Sequence, residues 1–347
     1  MAADQPWLSI LVPVYNVAEW IGDCVQSLLA QPLEGVEVIL LDDASTDDSR
    51  AICERLCTAH APTLRLLAHA TNRGLSAARN TMFAAARGRY VWFVDGDDEM
   101  LPGAIAGLRD VIQRHAPQLV LCDYLKLCRH EAGFTGPRRT LEHDTDALLR
   151  GLFHSRRMHV WTKIAQRELW EAAPRFPEGS CYEDMATVPW LMLGVHSYCY
   201  VPEPWIAYRV RAGSITALAA HTRGHFDMHK NEDVARALTG FAADARAALP
   251  GLSPRTLERI GQFCAKEFTK IAWRLIKHRL FRDDWHLIVS RMRHFRRLLE
   301  SCSPLPFARV ALCNLRDGKV RDFLRLQVFR FIARQGRAVP GAPAPTA

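Results

Sequence analysis

Along the first hundred positions, apolar runs recur, each ending in a polar loop and each followed by a helical pattern. Leu8 to Val14, Val36 to Leu41 and Tyr90 to Val94 are β-branched and aromatic runs of the kind found in strands buried on both faces. Helical patterns follow them at 17–30, 47–60 and 101–115, and another at 75–87 precedes the third run. Ser45, Thr46 or Asp47 is suited to cap the second of these helices, and Gly74 to turn the chain ahead of the one at 75–87. Strand alternating with helix predicts an α/β fold with a mostly parallel central sheet, whose ligand contacts lie at the carboxyl ends of its strands.

Candidate chemistry gathers at those ends. Asp42-Asp43 closes the second run and Asp95-Gly96-Asp97-Asp98 the third. Carboxylates this close repel one another unless they share a cation, and hard oxygen ligands suit Mg2+ or Mn2+. An acidic Asp-Gly turn leading into the next helix accounts for the same residues without a metal. Two such clusters on one sheet edge favour a ligand site over two unrelated turns.

Four segments in order, Pro13-Val14-Tyr15-Asn16, Asp42-Asp43-Ala44-Ser45-Thr46-Asp47, Asn72-Arg73-Gly74-Leu75-Ser76-Ala77-Ala78-Arg79-Asn80 and Asp95-Gly96-Asp97-Asp98, resemble the family 2 glycosyltransferases of bacterial surface polysaccharides. The resemblance is close over residues 6–105 and looser to 216. It implies a GT-A domain, the Rossmann-like fold of nucleotide-diphospho-sugar transferases, and inverting transfer of a hexosyl or N-acetylhexosaminyl group. The implied donor is a nucleotide sugar, UDP-sugar favoured, and the implied cofactor Mn2+ or Mg2+ on Asp97 and Asp95. By the same resemblance Pro13 and Tyr15 lie against the nucleoside, Asp43 meets the base, Asp95 approaches the ribose and Arg79 sits near the nucleotide. Asp184 would be the general base with Glu183 assisting, although a carboxylate pair opening a helix also serves as a cap. Arg209, Arg211 and Ser214 would meet the diphosphate, although arginines beside a strand also make a solvated edge. The acceptor would be a hydroxyl of a glycan or lipid-linked saccharide. Trp161, Thr162, Lys163 and Trp170 fall where the family holds that acceptor, and buried tryptophans serve equally as core.

Length and charge extend the picture. The 347 residues divide on this reading into a donor-binding half (1–105), an acceptor-binding half with the base (106–221), a basic α-helical C-terminal region (222–337) and a Pro/Ala-rich tail (338–347) expected to be disordered. The net charge of +8 is uneven, since residues 222–347 hold 24 Lys+Arg against 11 Asp+Glu. Helices are predicted there at 234–248, 254–280, 284–299 and 322–333. In the last, Phe323, Leu326, Phe329 and Ile332 accompany Arg321, Arg325, Arg330 and Arg334. Such a basic amphipathic helix lies either on an anionic membrane surface or on the protein itself.

Ten cysteines without zinc spacing, and scattered histidines, fit a reducing compartment and give no reason to place a metal on either residue type. The first strand begins too early for a leader peptide, and no apolar run is long enough to span a bilayer. The expected location is cytoplasmic, with peripheral contact at the inner face of the cytoplasmic membrane, and no nucleic-acid partner. Two other readings stand beside this one: a non-catalytic GT-A-fold binding or scaffold protein, and a nucleotidyltransferase. The second needs a glycine-rich basic loop after the first strand, where Pro13 to Asn16 stand instead.

Overall fold

The computed structural model describes residues 5–211, 227–279 and 285–334, and the chain divides into two compact units. The first unit comprises 1–218 and 245–256, the second 219–244 and 257–347. Ser214 and the 338–347 tail lie outside the described residues.

The first unit is built on one ten-stranded sheet. In chain order its elements are β1 (Leu8–Val14), α1 (Ile21–Leu29), β2 (Val36–Asp42), α2 (Ser49–Ala59), β3 (Leu64–Ala68), α3 (Leu75–Ala85), β4 (Tyr90–Phe93), β5 (Glu99–Met100), α4 (Ala104–His115), β6 (Leu119–Lys126), β7 (Arg129–Glu131), β8 (Leu141–Glu142), α5 (Thr145–Ser155), β9 (Lys163–Gln166), α6 (Arg167–Ala172), α7 (Glu183–Leu193) and β10 (Tyr198–Tyr208). Strand order is β3-β2-β1-β4-β9-β6-β10-β5, with β7 on β6 and β8 on β10. The first four strands are parallel, as the alternating pattern predicts. Beyond β4 the sheet becomes mixed, because β9 runs antiparallel to both β4 and β6.

Register decides where the polar loops meet. Val14 pairs with Asp42 and Leu11 with Phe93, so the loops after β1, β2 and β4 emerge at one edge. The opposite end of the sheet is pinned by Glu37, whose Oε1 accepts from the Ser9 hydroxyl and the Arg87 N–H, both at 2.6 Å. Ser9 Oγ in turn accepts from the Gly88 N–H at 2.8 Å. A Cβ on Gly88 would stand 2.4 Å from the Ser9 backbone nitrogen, so only glycine permits this approach.

At the ligand edge the 45–49 loop supplies the capping expected of Asp47, whose Oδ1 accepts from the Ser49 N–H at 3.0 Å. Helix α2 begins at Ser49, the Asp48 before it makes no side-chain capping bond, and the polar side chains of the loop also tie two loops together. Ser45 Oγ accepts from the Asn16 N–H, Ser49 Oγ from the Val17 N–H and Asp47 Oδ2 from the Ala18 N–H. The Asn16 side chain answers by accepting from the Thr46 N–H at 2.8 Å. These bonds fix the chain leaving β1, which otherwise has no regular partner before α1 starts at Ile21.

The second unit is helical: α8 (Met228–Arg236), the start of α9 (Phe241–Ala248), most of α10 (Pro254–Arg279), α11 (Trp285–Ser301), α12 (Phe307–Arg316) and α13 (Val320–Ile332). Two helices replace the single one predicted at 234–248, because Gly240 at φ +83° turns the chain between them. Phe263, Phe268 and Ile271 of α10, Met292 and Phe295 of α11 and Phe307 of α12 are buried core. On α13 the buried apolar side chains are Leu326 and Phe329, so the stripe read from sequence faces inward, and Arg330 is buried beside them. No helix among the described residues is long and apolar enough to cross a membrane.

Candidate active site

Tyr15 stands exposed just past β1, next to the partly buried Pro13, where a planar ligand can stack. Below them Asp43 is buried and organises the neighbouring loop. Its Oδ2 accepts from the Gly74 N–H at 2.7 Å, and its Oδ1 from the Arg73 N–H at 2.9 Å. Gly74 has φ +84°, the conformation that lets both N–H groups converge on one carboxylate. The same Oδ1 meets His69 Nδ1 at 2.6 Å, and His69 Nε2 meets the Thr81 hydroxyl at 3.0 Å. His69 was not among the residues read from sequence; its signal there is a polar side chain directly after β3, at the same strand edge.

The Asp95–Asp98 turn is drawn tight against β1. A Cβ on Gly96 would lie 2.7 Å from the Pro13 carbonyl oxygen, so the glycine sets the spacing between Asp95 and Asp97. Asp98 is fully buried; burial, with Asp95 beside it, pushes its carboxyl well above the ordinary range. Its Oδ1 accepts from the Arg209 N–H at 2.8 Å, while its Oδ2 is buried without a partner.

Arg79 joins this turn to the helix that carries the candidate base. It is 1% exposed, and its Nη1 donates to Glu183 Oε1 at 2.8 Å and to Asp184 Oδ1 at 2.9 Å. Its Nη2 donates to Asp95 Oδ1 at 3.0 Å. The resemblance sets Arg79 near the nucleotide; in the structure its guanidinium lies beneath the carboxylates, over the Phe176 ring at 5.5 Å, and holds them. Burial works against charge on Arg79, yet Asp184, Asp95 and Glu183 outweigh it and keep the group firmly cationic. For Asp184 burial dominates: despite Arg79, its carboxyl is pushed up to about 6.

The N-cap of α7 is Tyr182, which makes no side-chain capping bond, and Asp184 lies in the first turn. Asp184 Oδ2 accepts from the Val160 N–H at 3.3 Å, a donor on the segment before β9. That segment is wrapped around the wholly buried Lys163. Its ammonium donates to the Arg157 and His159 carbonyls and to Thr162 Oγ1, each at 2.8 Å. Burial drops the Lys163 pKa to about 7 even with Asp184 nearby. His159 stacks on Trp161 at 4.4 Å and Trp161 on Tyr208 at 5.7 Å, so Trp161 is core, as is Trp170 against Phe93.

The two late arginines behave differently. Arg209 meets the acidic turn through its backbone N–H on Asp98, while its guanidinium reaches Glu99 and Asp23. Arg211 pairs with Asp97 Oδ2 and lies over the Trp20 ring at 4.9 Å. Among the described residues no three His, Cys, Asp or Glu side chains are gathered as a metal cage. Asp95 and Asp97 each have one oxygen on an arginine. Their remaining oxygens suit a hard divalent ion completed by phosphate oxygens and water, the usual way Mg2+ is held with few protein ligands.

A half-parallel sheet with acidic turns at its carboxyl edge, one of them clamped to a partly buried helix-end carboxylate, defines a GT-A fold. Residues 9–172 match the family described as Glycosyl transferase family 2. The uncharacterized glycosyltransferase EpsJ of Bacillus subtilis is 35% identical over 176 residues, 48% of this chain and 50% of EpsJ, so the match spans half of that relative. TarS of S. aureus, in complex with UDP-GlcNAc, superposes with a TM-score of 0.67 at 19% identity, covering 94% of this chain and 91% of TarS. The mannosyltransferase PcManGT of Pyrobaculum calidifontis, in complex with GDP-Man and Mn2+, gives 0.53 at 17% identity over 95% and 88%. At such identities these two structures establish the fold. The family match covers residues 9–172, just under half of this chain.

Proposed function

We propose that the protein moves a sugar from a nucleotide-diphosphate donor, UDP-sugar favoured, to a hydroxyl of a glycan or lipid-linked saccharide, with inversion. The observation that carries this reading is the Arg79 clamp, which ties the donor-side Asp95 and the helix-end Asp184 to one buried cation. Donor and acceptor chemistry are thereby held in fixed relation by an interaction that needs no substrate. The support for UDP is the complex of TarS with UDP-GlcNAc; the GDP-Man bound to PcManGT is the reason other bases belong in the test.

On this reading Tyr15 and Pro13 stack on the nucleoside, Asp43 accepts from the base with a remaining lone pair, and Asp95 approaches the ribose. Asp97 and Asp95 would hold Mn2+ or Mg2+, which when bound neutralises charge building on the departing diphosphate. Arg211, already on Asp97, is placed to pass to the diphosphate. Asp184 Oδ accepts the proton of the acceptor hydroxyl as its oxygen bonds to the anomeric carbon and the bond from that carbon to the diphosphate breaks on the opposite face. A carboxyl raised toward neutrality is a stronger base than an ordinary aspartate, and Glu183 shares its arginine. Ten cysteines without zinc spacing suit a reducing compartment, and we place the reaction on the cytoplasmic side, in building surface polysaccharide.

A screen of UDP- and GDP-sugars for nucleotide release with Mn2+ present tests the class. Release from one donor, abolished by EDTA and by Asp97→Ala, is the expected result. Nucleotide-sugar binding without turnover against any acceptor would favour the scaffold reading instead.

A further inference from the structure

On α13 the exposed apolar side chains are Val320, Leu324, Val328 and Phe331, from 50% exposed for Val320 to 63% for Phe331. Their spacing of four, four and three places them on one face of the helix, opposite buried Leu326 and Phe329. Isolated exposed apolar residues are ordinary, but a continuous stripe along three turns is not. Helix α12 adds exposed Leu312 and Leu315.

Charge surrounds the stripe with a single sign. Arg321 and Arg325 follow it on one flank and Arg334 on the other, while the acidic side chain of this helix, Asp322, is paired with Lys266 of α10. Half-exposed Trp273 of α10 lies between two cations, Lys277 at 5.7 Å and Arg325 at 6.0 Å from its ring. Apolar side chains and a tryptophan rimmed by arginine and lysine match the depth profile of a bilayer interface, where acyl chains lie beneath anionic headgroups.

We propose that this face of the helical unit docks on an anionic lipid bilayer, with Leu324, Val328 and Phe331 entering the headgroup boundary and Arg321, Arg325 and Arg334 on lipid phosphates. The arginine flanks distinguish it from a surface for a second copy of the chain, which would bring like charges together across the contact.

Sedimentation of the full chain with vesicles of phosphatidylcholine, alone or with phosphatidylglycerol, tests this. Wild type is expected to bind only the anionic vesicles, and less at high salt. Arg321→Glu/Arg325→Glu/Arg334→Glu should lose at least about tenfold in affinity. Leu324→Ser/Val328→Ser/Phe331→Ser, which keeps every charge, should lose a comparable factor. Both sets alter exposed or half-exposed positions, and unchanged thermal midpoints would confirm folding. The proposal is overturned if wild type does not sediment with anionic vesicles, or if the serine variant binds as well as wild type. A concentration-dependent dimer abolished by the serine variant would also overturn it, by assigning the stripe to self-association.

Discussion

Arg79 is the residue on which the site depends. Replacing it with methionine removes one buried cation and leaves three carboxylates together, so a stability loss of about 3–5 kcal/mol is expected. The sign of its pH dependence follows from the carboxyls. Asp95 and Asp184 already titrate above the ordinary range because of burial, and without Arg79 they rise further. Groups raised in the folded state favour it below their unfolded pKa and lose that advantage as pH rises, so the deficit should be smaller near pH 5 than near pH 8. Denaturant unfolding of the variant and wild type at both pH values checks this. Gly96 supports a separate expectation: Gly96→Ala forces its new methyl against the Pro13 carbonyl and should weaken Mn2+-dependent nucleotide binding, read by calorimetry, more than it lowers the thermal midpoint. The acidic residues of this edge were legible in the sequence because strand ends announce themselves. The burial of Arg79 was not, since nothing local distinguishes a clamped arginine from a solvated one on a helix.

At the scale of elements, the 157–162 segment is ordered by one side chain. Lys163→Met keeps the apolar stem but removes three hydrogen bonds, freeing the segment whose Val160 N–H aims Asp184. Turnover should fall severalfold or more while the KM for donor is nearly unchanged, a split that general destabilisation does not produce. At the far end of the sheet, Glu37 ties β1, β2 and the start of β4. Burial alone would raise its carboxyl, but bonds from Ser9 and Arg87 hold it below the ordinary value. A carboxyl depressed by folding stabilises above its unfolded pKa and loses that contribution as pH falls through the folded value. Glu37→Gln should therefore cost on the order of 1–2 kcal/mol at neutral pH and less below pH 4, measured by urea unfolding. Strands β1, β2 and β4 were readable because both faces are buried. The turn to a mixed sheet at β9 was not, because Lys163–Gln166 is short and carries a buried lysine whose partners come from its own loop.

For the whole molecule, the alternation of strand and helix gave the α/β class, and the order of four motifs gave the family resemblance that the match over residues 9–172 supports. The helical unit was visible as periodicity and positive charge, but periodicity alone could not say which α13 face is covered. Phe323, Leu326, Phe329 and Ile332 read as well as Val320, Leu324, Val328 and Phe331, and only packing against the other helices of the unit separates the two sets. The central claim concerns the site: Asp184 removes the acceptor proton and Asp97 serves the donor. Wild-type turnover should rise with pH through a midpoint near 6, the raised value of Asp184. The most direct measurement is paired kinetics and nucleotide affinity for Asp184→Asn, with folding verified. The account predicts donor affinity close to wild type and turnover reduced roughly a hundred- to ten-thousandfold, with the acidic limb gone. Turnover near wild type, or a loss of donor affinity as large as the loss of rate, would contradict it.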